Sequence, residues 1–252
     1  MTQPAGRAPV LDEASRLAAR YPDEPRWVDL RGLLLSGRAL LFAHRPEVGF
    51  IARSPDEPFA FVAGTPVSGD LADLLAHGDP PELEILVPNE HADAVGEMLP
   101  GWARGSTVLH RYSGATGAFA TAPPHGVTLT TLTDPTALAA GTWSEATAEE
   151  LAAAVSNGMA MSVAWVDGEL AAFCAAPVET ESLWDVWVET LPAHRRRGLA
   201  SACFHRLRDD MIARGKLPVW GAHGDNHGSI RMAKGLGFVP AGTLAYFRRE
   251  AG

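Results

Sequence analysis

The residues best suited to chemistry lie at 187–200, in the stretch WVETLPAHRRRGLA. Arg195, Arg196, Arg197, Gly198, Leu199 and Ala200 fit Arg-x-x-Gly-x-Ala and run straight into apolar residues at Leu199, Cys203, Leu207 and Met211, with Phe204 and Ile212 alongside. That spacing predicts the buried face of a helix. A helix beginning here leaves its first amide donors unpaired and carries about half a positive charge at its N-terminus, so it can hold an anion. Gly198 and Ala200 let a bulky diphosphate approach the backbone. The competing reading is a surface turn with three solvated arginines. Upstream, the alternation of Trp187, Val188, Glu189 and Thr190 suits a strand with two distinct faces, and Pro192 stops its ladder.

A second stretch reduces the odds of a plain surface turn. Residues 216–238, KLPVWGAHGDNHGSIRMAKGLGF, read as a short apolar strand at 218–220, a loop, and a helix capped by Asn226 and closed near 235–237. Strand, anion turn, helix, strand and helix therefore follow in order. With Thr190, Pro192, Arg195, Gly198 and Ala200 followed by Asn226, Ser229, Ala233, Gly237 and Phe238, residues of about 126–250 resemble the GNAT superfamily of acyl-CoA-dependent N-acetyltransferases. The Pro-Val-Trp and Asn-x-x-Ser pieces are similar to its zwittermicin-resistance branch.

The resemblance implies an α+β fold with a mixed, mostly antiparallel GNAT-type sheet flanked by helices. It implies that the strand at 188–190 splays from the one at 218–220, and that the pantetheine arm of acetyl-CoA, the acyl donor, enters the gap and pairs with strand amides. The thioester then lies beside the amide near Val188, with Thr190 on the same strand, while the diphosphate sits on amides of Arg196, Arg197, Gly198, Leu199, Ala200 and Ser201 next to Arg195. Asn226 matches a cofactor-contacting asparagine and equally suits a plain helix cap, and Ser229 matches a small residue beside the cofactor. Glu189 is the implied base for the attacking amine, against a reading as a solvated or arginine-paired carboxylate. Ala233 departs from the pattern, standing where many members carry the tyrosine that protonates the departing thiolate. Tyr246, His223 or water can take that role, because a CoA thiolate is a good leaving group.

Composition sets the limits. The chain has 252 residues, 46% hydrophobic content and a net charge of −9, which suits a folded globular protein with one large or two small domains. The negative balance argues against nucleic acid as a partner, and an acidic surface favours a cationic small-molecule amine. No apolar run reaches about 18 residues and the start lacks a signal-peptide layout, so a cytoplasmic protein without membrane contact is expected. Cys174 and Cys203 read as core hydrophobes, neither in a nucleophile context. No metal site is expected, and oligomeric state is open, a homodimer included.

The elements that would position these residues can be traced along the chain. Residues 11–20 have helical spacing; LLLSGRALLF, VGFIAR and FAFVAGTP read as an antiparallel meander; SGDLADLLAHG reads as a short helix. Then come a strand in ELEILVP, a helix in NEHADAVGEMLPGW that stops before Pro100, and a strand in STVLHRYSG. A linker at 113–126 places the boundary near Ala122, giving modules 1–122 and 123–252. The second opens with a strand in GVTLTTLT, a helix in TAEELAAAVSNG, a hairpin through Val-Asp-Gly-Glu, a central strand at 183–190, and a last strand pair at 239–250 broken at Ala241 and Gly242. Trp184, Trp187 and Trp220 read as core or pocket walls.

The first half loosely parallels the second, so it reads as a degenerate GNAT-like copy without a diphosphate turn, in a two-module layout that resembles glycine N-acyltransferases. The resulting expectation is an N-acetyltransferase that moves acetyl from acetyl-CoA to a primary amine by direct attack in a ternary complex. Its alternative is a catalytically inactive acyl-CoA-binding or regulatory module.

Overall fold

The computed structural model describes residues 6, 8–9, 11–55, 57–78, 80, 82–114 and 123–249. The expected boundary near Ala122 lies outside them. The chain forms two compact units: Met1–Leu109 with Gly221–Ile230 and Pro240–Gly252, and His110–Trp220 with Arg231–Val239.

The first unit opens with α1 (Leu11–Ala18) and α2 (Val28–Leu35), followed by β1 (Leu40–Phe42), β2 (Gly49–Arg53) and β3 (Phe59–Gly64). The expected meander is present, since β1 and β2, then β2 and β3, pair antiparallel. Leu33, Leu34 and Leu35 are a correction: they end α2 rather than forming a strand. A short apolar run fits a buried helix as well as a strand, and α2 buries Val28, Leu30 and Leu34. Next come α3 (Ser68–His77), β4 (Glu84–Pro88), α4 (Asn89–Met98) and β5 (Trp102–Tyr112). Asp70 ties down the start of α3 by accepting from the Val67 amide at 2.9 Å.

In the second unit, β6 (Val127–Thr131), α5 (Glu145–Ser156), β7 (Met161–Val166), β8 (Glu169–Ala175), β9 (Leu183–Asp185), β10 (Trp187–Thr190) and α6 (Leu199–Ala213) follow in order. The hairpin joining β7 to β8 turns through Asp167 (φ 50°) and Gly168 (φ 86°), the pair of positive angles a two-residue turn between right-twisted strands requires. Ser144 caps α5 by accepting from the Thr147 amide at 3.1 Å. The sheet runs β10-β8-β7-β6. Helix α6 buries Leu199, Cys203, Phe204, Leu207 and Met211, as its spacing predicts, whereas Ile212 is 42% exposed. Phe204 lies 6.3 Å from both Trp184 and Trp220 and 5.5 Å from Phe238, ring centre to ring centre. Trp184 and Trp220 are thus core residues, and Trp187 packs edge-on to Phe173 at 4.8 Å.

Strand β11 (Leu217–His223), helix α7 (His227–Gly235) and strand β12 (Phe238–Arg249) pass from one unit to the other. In the second unit the start of β11 pairs parallel with β9, Leu217 to Val219 opposite Leu183 to Asp185. In the first unit the strand order is β1-β2-β3-β4-β12-β5-β11, with β12 inserted antiparallel against β4 from Leu244 opposite Pro88 to Arg248 opposite Glu84. The expected break at Ala241 and Gly242 is corrected: β12 is one strand, and Gly242 absorbs a φ of 143° within it. The fold is α+β with a mostly antiparallel sheet and flanking helices, as expected.

Candidate functional site

The central strand expected at 183–190 is two strands. The Val186 amide still donates to the Val219 carbonyl at 3.1 Å, but from Trp187 onward the chain leaves β11 and pairs with β8, Trp187 opposite Ala175 and Thr190 opposite Ala172. One residue thus moves the backbone from one sheet to another, and β10 becomes the terminal strand of its own sheet. The Leu191 amide donates to the Ala171 carbonyl at 2.9 Å. Alternation along the strand therefore turns the amides of Val188 and Thr190 to the opposite, open edge. At that edge the Thr190 carbonyl accepts from Arg195 Nε at 3.2 Å. Val188 offers its peptide groups for pairing by an extended ligand.

Beyond β10, a 3-10 turn at Pro192–His194 leads into the arginine turn. Arg196 (φ 63°) and Gly198 (φ 80°) both lie in the left-handed region, which costs an ordinary residue about 1–2 kcal/mol. Gly198 is the N-cap of α6 and makes no side-chain cap bond, and the first helical bond is from the Ala202 amide to the Gly198 carbonyl at 3.0 Å. The amides of Leu199 and Ala200 precede that bond, so they stand at the positive end of α6 without a helical acceptor. Arg195, Arg196, Arg197 and Gly198 are exposed while Leu199 is buried and anchors the turn. Ser201 is buried in the first turn of α6. An anion can reach this backbone from solvent.

The same turn holds a contact that no local pattern announces. Glu169, at the start of β8, lies 2.8 Å from His194 Nε2, and its carboxyl is held below its ordinary value chiefly by that bond. No spacing rule links residues 25 apart; only the pairing of β8 with β10 brings them together.

Glu189 is half-buried on β10 and, among the described residues, its carboxylate has no hydrogen bond or ion pair, so the arginine-paired alternative is not what the fold builds. Its charge is felt by Glu150 of α5, whose carboxyl is pushed up first by local desolvation and then by Glu189. Asp185 lies on β9 and Glu189 on β10, the switch at Val186 separating the two carboxylates.

His223, Asn226, Ser229 and Tyr246 belong to the first unit. Asn226 Oδ1 accepts from the Ser229 amide at 3.0 Å, so Asn226 does cap α7 and Ser229 sits in its first turn. His223 Nε2 lies 3.0 and 3.2 Å from the two carboxylate oxygens of Glu84, at the head of β4. The imidazole stacks on the Tyr246 ring with centres 4.4 Å apart and planes at 27°. The bond to Glu84 raises the His223 pKa; desolvation and Arg248 oppose the shift, and the charges of Glu84 and Asp225 add to it. Gly105 makes this possible, since a Cβ there would lie 2.2 Å from Tyr246 Cζ. Glu84, 139 positions from His223, was beyond the reach of sequence spacing.

Ala233 is fully buried and offers no hydroxyl. Burial also pushes the Cys203 thiol up to about 12 and raises Cys174 well above the ordinary thiol value, so neither supplies a thiolate near neutral pH. Among the described residues no helix is long and apolar enough to cross a membrane.

Among curated proteins, none matches this sequence. Solved structures do. A GCN5-related N-acetyltransferase-like protein from Streptococcus suis is 16% identical with a TM-score of 0.69, covering 95% of this chain and 98% of its own. A GCN5-related N-acetyltransferase from Kribbella flavida is 18% identical with a TM-score of 0.57, covering 95% and 96%. A tandem GNAT protein from the clavulanic acid biosynthesis pathway is 17% identical with a TM-score of 0.58, covering 96% and 94%. The fold is that of the GNAT acetyltransferases, and residues 143–247 match the GNAT acetyltransferase family model.

Proposed function

We propose that the protein is an acyl-CoA-dependent N-acyltransferase that moves acetyl from acetyl-CoA to a primary amine of a small molecule. The observation that carries this reading is the change of partner at Val186, which leaves an open strand edge at Val188 followed by an uncapped helix end at Gly198. The match of residues 143–247 to the GNAT family supports it.

In this reading the diphosphate rests on the amides at 196–201, with Arg195 beside it, and the pantetheine arm lies along the edge of β10. The Val188 amide donates to the thioester carbonyl and stabilises the oxyanion as it forms. Glu189 takes a proton from the acceptor ammonium or from the attacking amine, directly or through water. The amine nitrogen bonds to the carbonyl carbon, the tetrahedral intermediate collapses, and the carbon–sulfur bond breaks to release the CoA thiolate. His223, Tyr246 or water supplies the thiolate proton, in place of the tyrosine that Ala233 replaces. The high thiol pKa of both cysteines supports direct transfer over an acyl-enzyme. Asn226, whose Oδ1 is committed to its cap, keeps its amide nitrogen for the cofactor, with Ser229 nearby in the same turn.

Modules 1–122 and 123–252 form a tandem in which the first is a degenerate GNAT-like copy; the likeness to a tandem GNAT protein over 96% of the chain supports this. The zwittermicin-like Pro-Val-Trp and Asn-x-x-Ser pieces, a cytoplasmic location and a cationic acceptor are part of the same proposal. The buried Ala233 favours one other reading, a binding module without turnover. Titration calorimetry with acetyl-CoA on the wild type and Gly198→Val tests the site: binding lost in the variant supports it, and absent binding to the wild type overturns it. Thiol release across an amine panel then separates enzyme from binding module.

A further inference from the structure

Resting on the acyl-CoA reading above, a further role follows from side chains that the reaction leaves unused. In the second unit Thr142 Oγ1 donates to Glu169 Oε1 at 3.2 Å, Glu169 Oε2 lies 2.8 Å from His194 Nε2, and His194 Nδ1 lies 2.8 Å from Arg197 Nη1. The proton positions are dictated by the partners. A guanidinium only donates, so Nδ1 of His194 accepts; a carboxylate only accepts, so Nε2 carries the hydrogen. These contacts suit His194 in the tautomer that carries its hydrogen on Nε2, and its side chain is only 13% exposed.

The consequence falls on the anion turn. Arg197 immediately precedes Gly198, the N-cap of α6. Among the described residues its guanidinium has no other partner, so Nε and Nη2 remain as donors for phosphate oxygens. Its exposed side chain would otherwise sample many rotamers, and tethering one nitrogen removes part of that entropy before a ligand arrives.

We propose that Glu169 and His194 are positioning residues for the diphosphate of the acyl donor, holding Arg197 beside the amide end of α6. Neither touches the reacting atoms; they act through Arg197.

The test is titration calorimetry with two ligands, acetyl-CoA and S-acetylpantetheine, which lacks the nucleotide and its phosphates. Glu169→Leu is expected to raise the Kd for acetyl-CoA about tenfold, the scale of one charge-assisted hydrogen bond, and to leave S-acetylpantetheine unchanged. Glu169→Gln, which keeps an acceptor oxygen for Nε2–H, is expected to stay within about threefold of the wild type. Nitrogen-15 spectra should show His194 protonated at Nε2 in the wild type. The proposal is overturned if the leucine variant binds acetyl-CoA normally, if it weakens both ligands equally, if glutamine is as poor as leucine, or if His194 carries its proton on Nδ1. The two readings separate cleanly. Loss of binding in Gly198→Val with none in Glu169→Leu sinks only the positioning role, and no acetyl-CoA binding by the wild type overturns both.

Discussion

At the scale of single residues, Glu189 and Gly198 carry the sharpest expectations. Glu189 stands half-buried without a cationic partner and close enough to Glu150 to raise that neighbour's pKa, as befits a carboxylate kept for a transient proton or an ammonium. With a competent amine, Glu189→Gln should lower kcat/KM by about a hundredfold, the lower range for general-base loss; an unchanged kcat/KM removes Glu189 from the mechanism. At Gly198 the space is open, the nearest atom to an added Cβ being Pro124 Cγ at 3.8 Å, so the penalty of Gly198→Val is conformational. A β-branched residue strongly resists a φ of 80°, the turn should re-form differently, and affinity for acetyl-CoA should fall at least about tenfold. His223 gives a pH expectation. Its folded pKa is raised, first by the hydrogen bond to Glu84. The pairing therefore contributes its full stability below the ordinary imidazole value of about 6.5 and loses it as pH rises through the raised folded value. Unfolding free energies of the wild type and Glu84→Gln from urea titration should differ at pH 6, by under about 1 kcal/mol after solvent screening, and converge by pH 9. A gap that widens with pH would refute the pairing.

Among the elements, β5, β11 and β12 decide what the sequence could reveal. Hydrophobic period and turn residues located most strands and helices, including α6 and its anion turn, because those signals are local. They did not show that the apolar run at 183–190 changes partner at Val186, since a strand's period is the same whichever neighbour it pairs with. Nor did they show α2, where eight residues bury an apolar face too short to display helical period. Glu84 and Glu169 stayed hidden for the same reason: each meets its histidine only through sheet pairing. Gly105 illustrates how an element serves such a contact, since its missing side chain makes room for Tyr246. Gly105→Val should overpack that spot and cost about 2 kcal/mol or more, read as a lower melting temperature together with loss of the raised His223 pKa. A variant that melts like the wild type would mean that Tyr246 does not depend on that glycine.

For the molecule as a whole, chain order and compact unit do not coincide. The backbone crosses between units after Leu109, Trp220, Ile230 and Val239, so the first unit is completed by residues from the far end of the chain. Composition marks a linker at 113–126 because linkers are local in sequence; the insertion of β12 between β4 and β5 is not, and no local signal records it. The insertion bears on how tandem copies could be separated. A fragment of residues 1–122 keeps β4 and β5 but lacks the strand that lies between them, leaving two exposed sheet edges and an uncovered share of the core that Leu244, Ala245, Tyr246 and Phe247 fill. Unpaired edges of this kind aggregate. Expressed alone, the fragment should be insoluble or lack a cooperative melt, and supplying residues 123–252 in the same cell should restore soluble, co-purifying material. A fragment 1–122 that melts cooperatively by itself would show that β12 is dispensable to the first unit, and the first module would then be an autonomous domain.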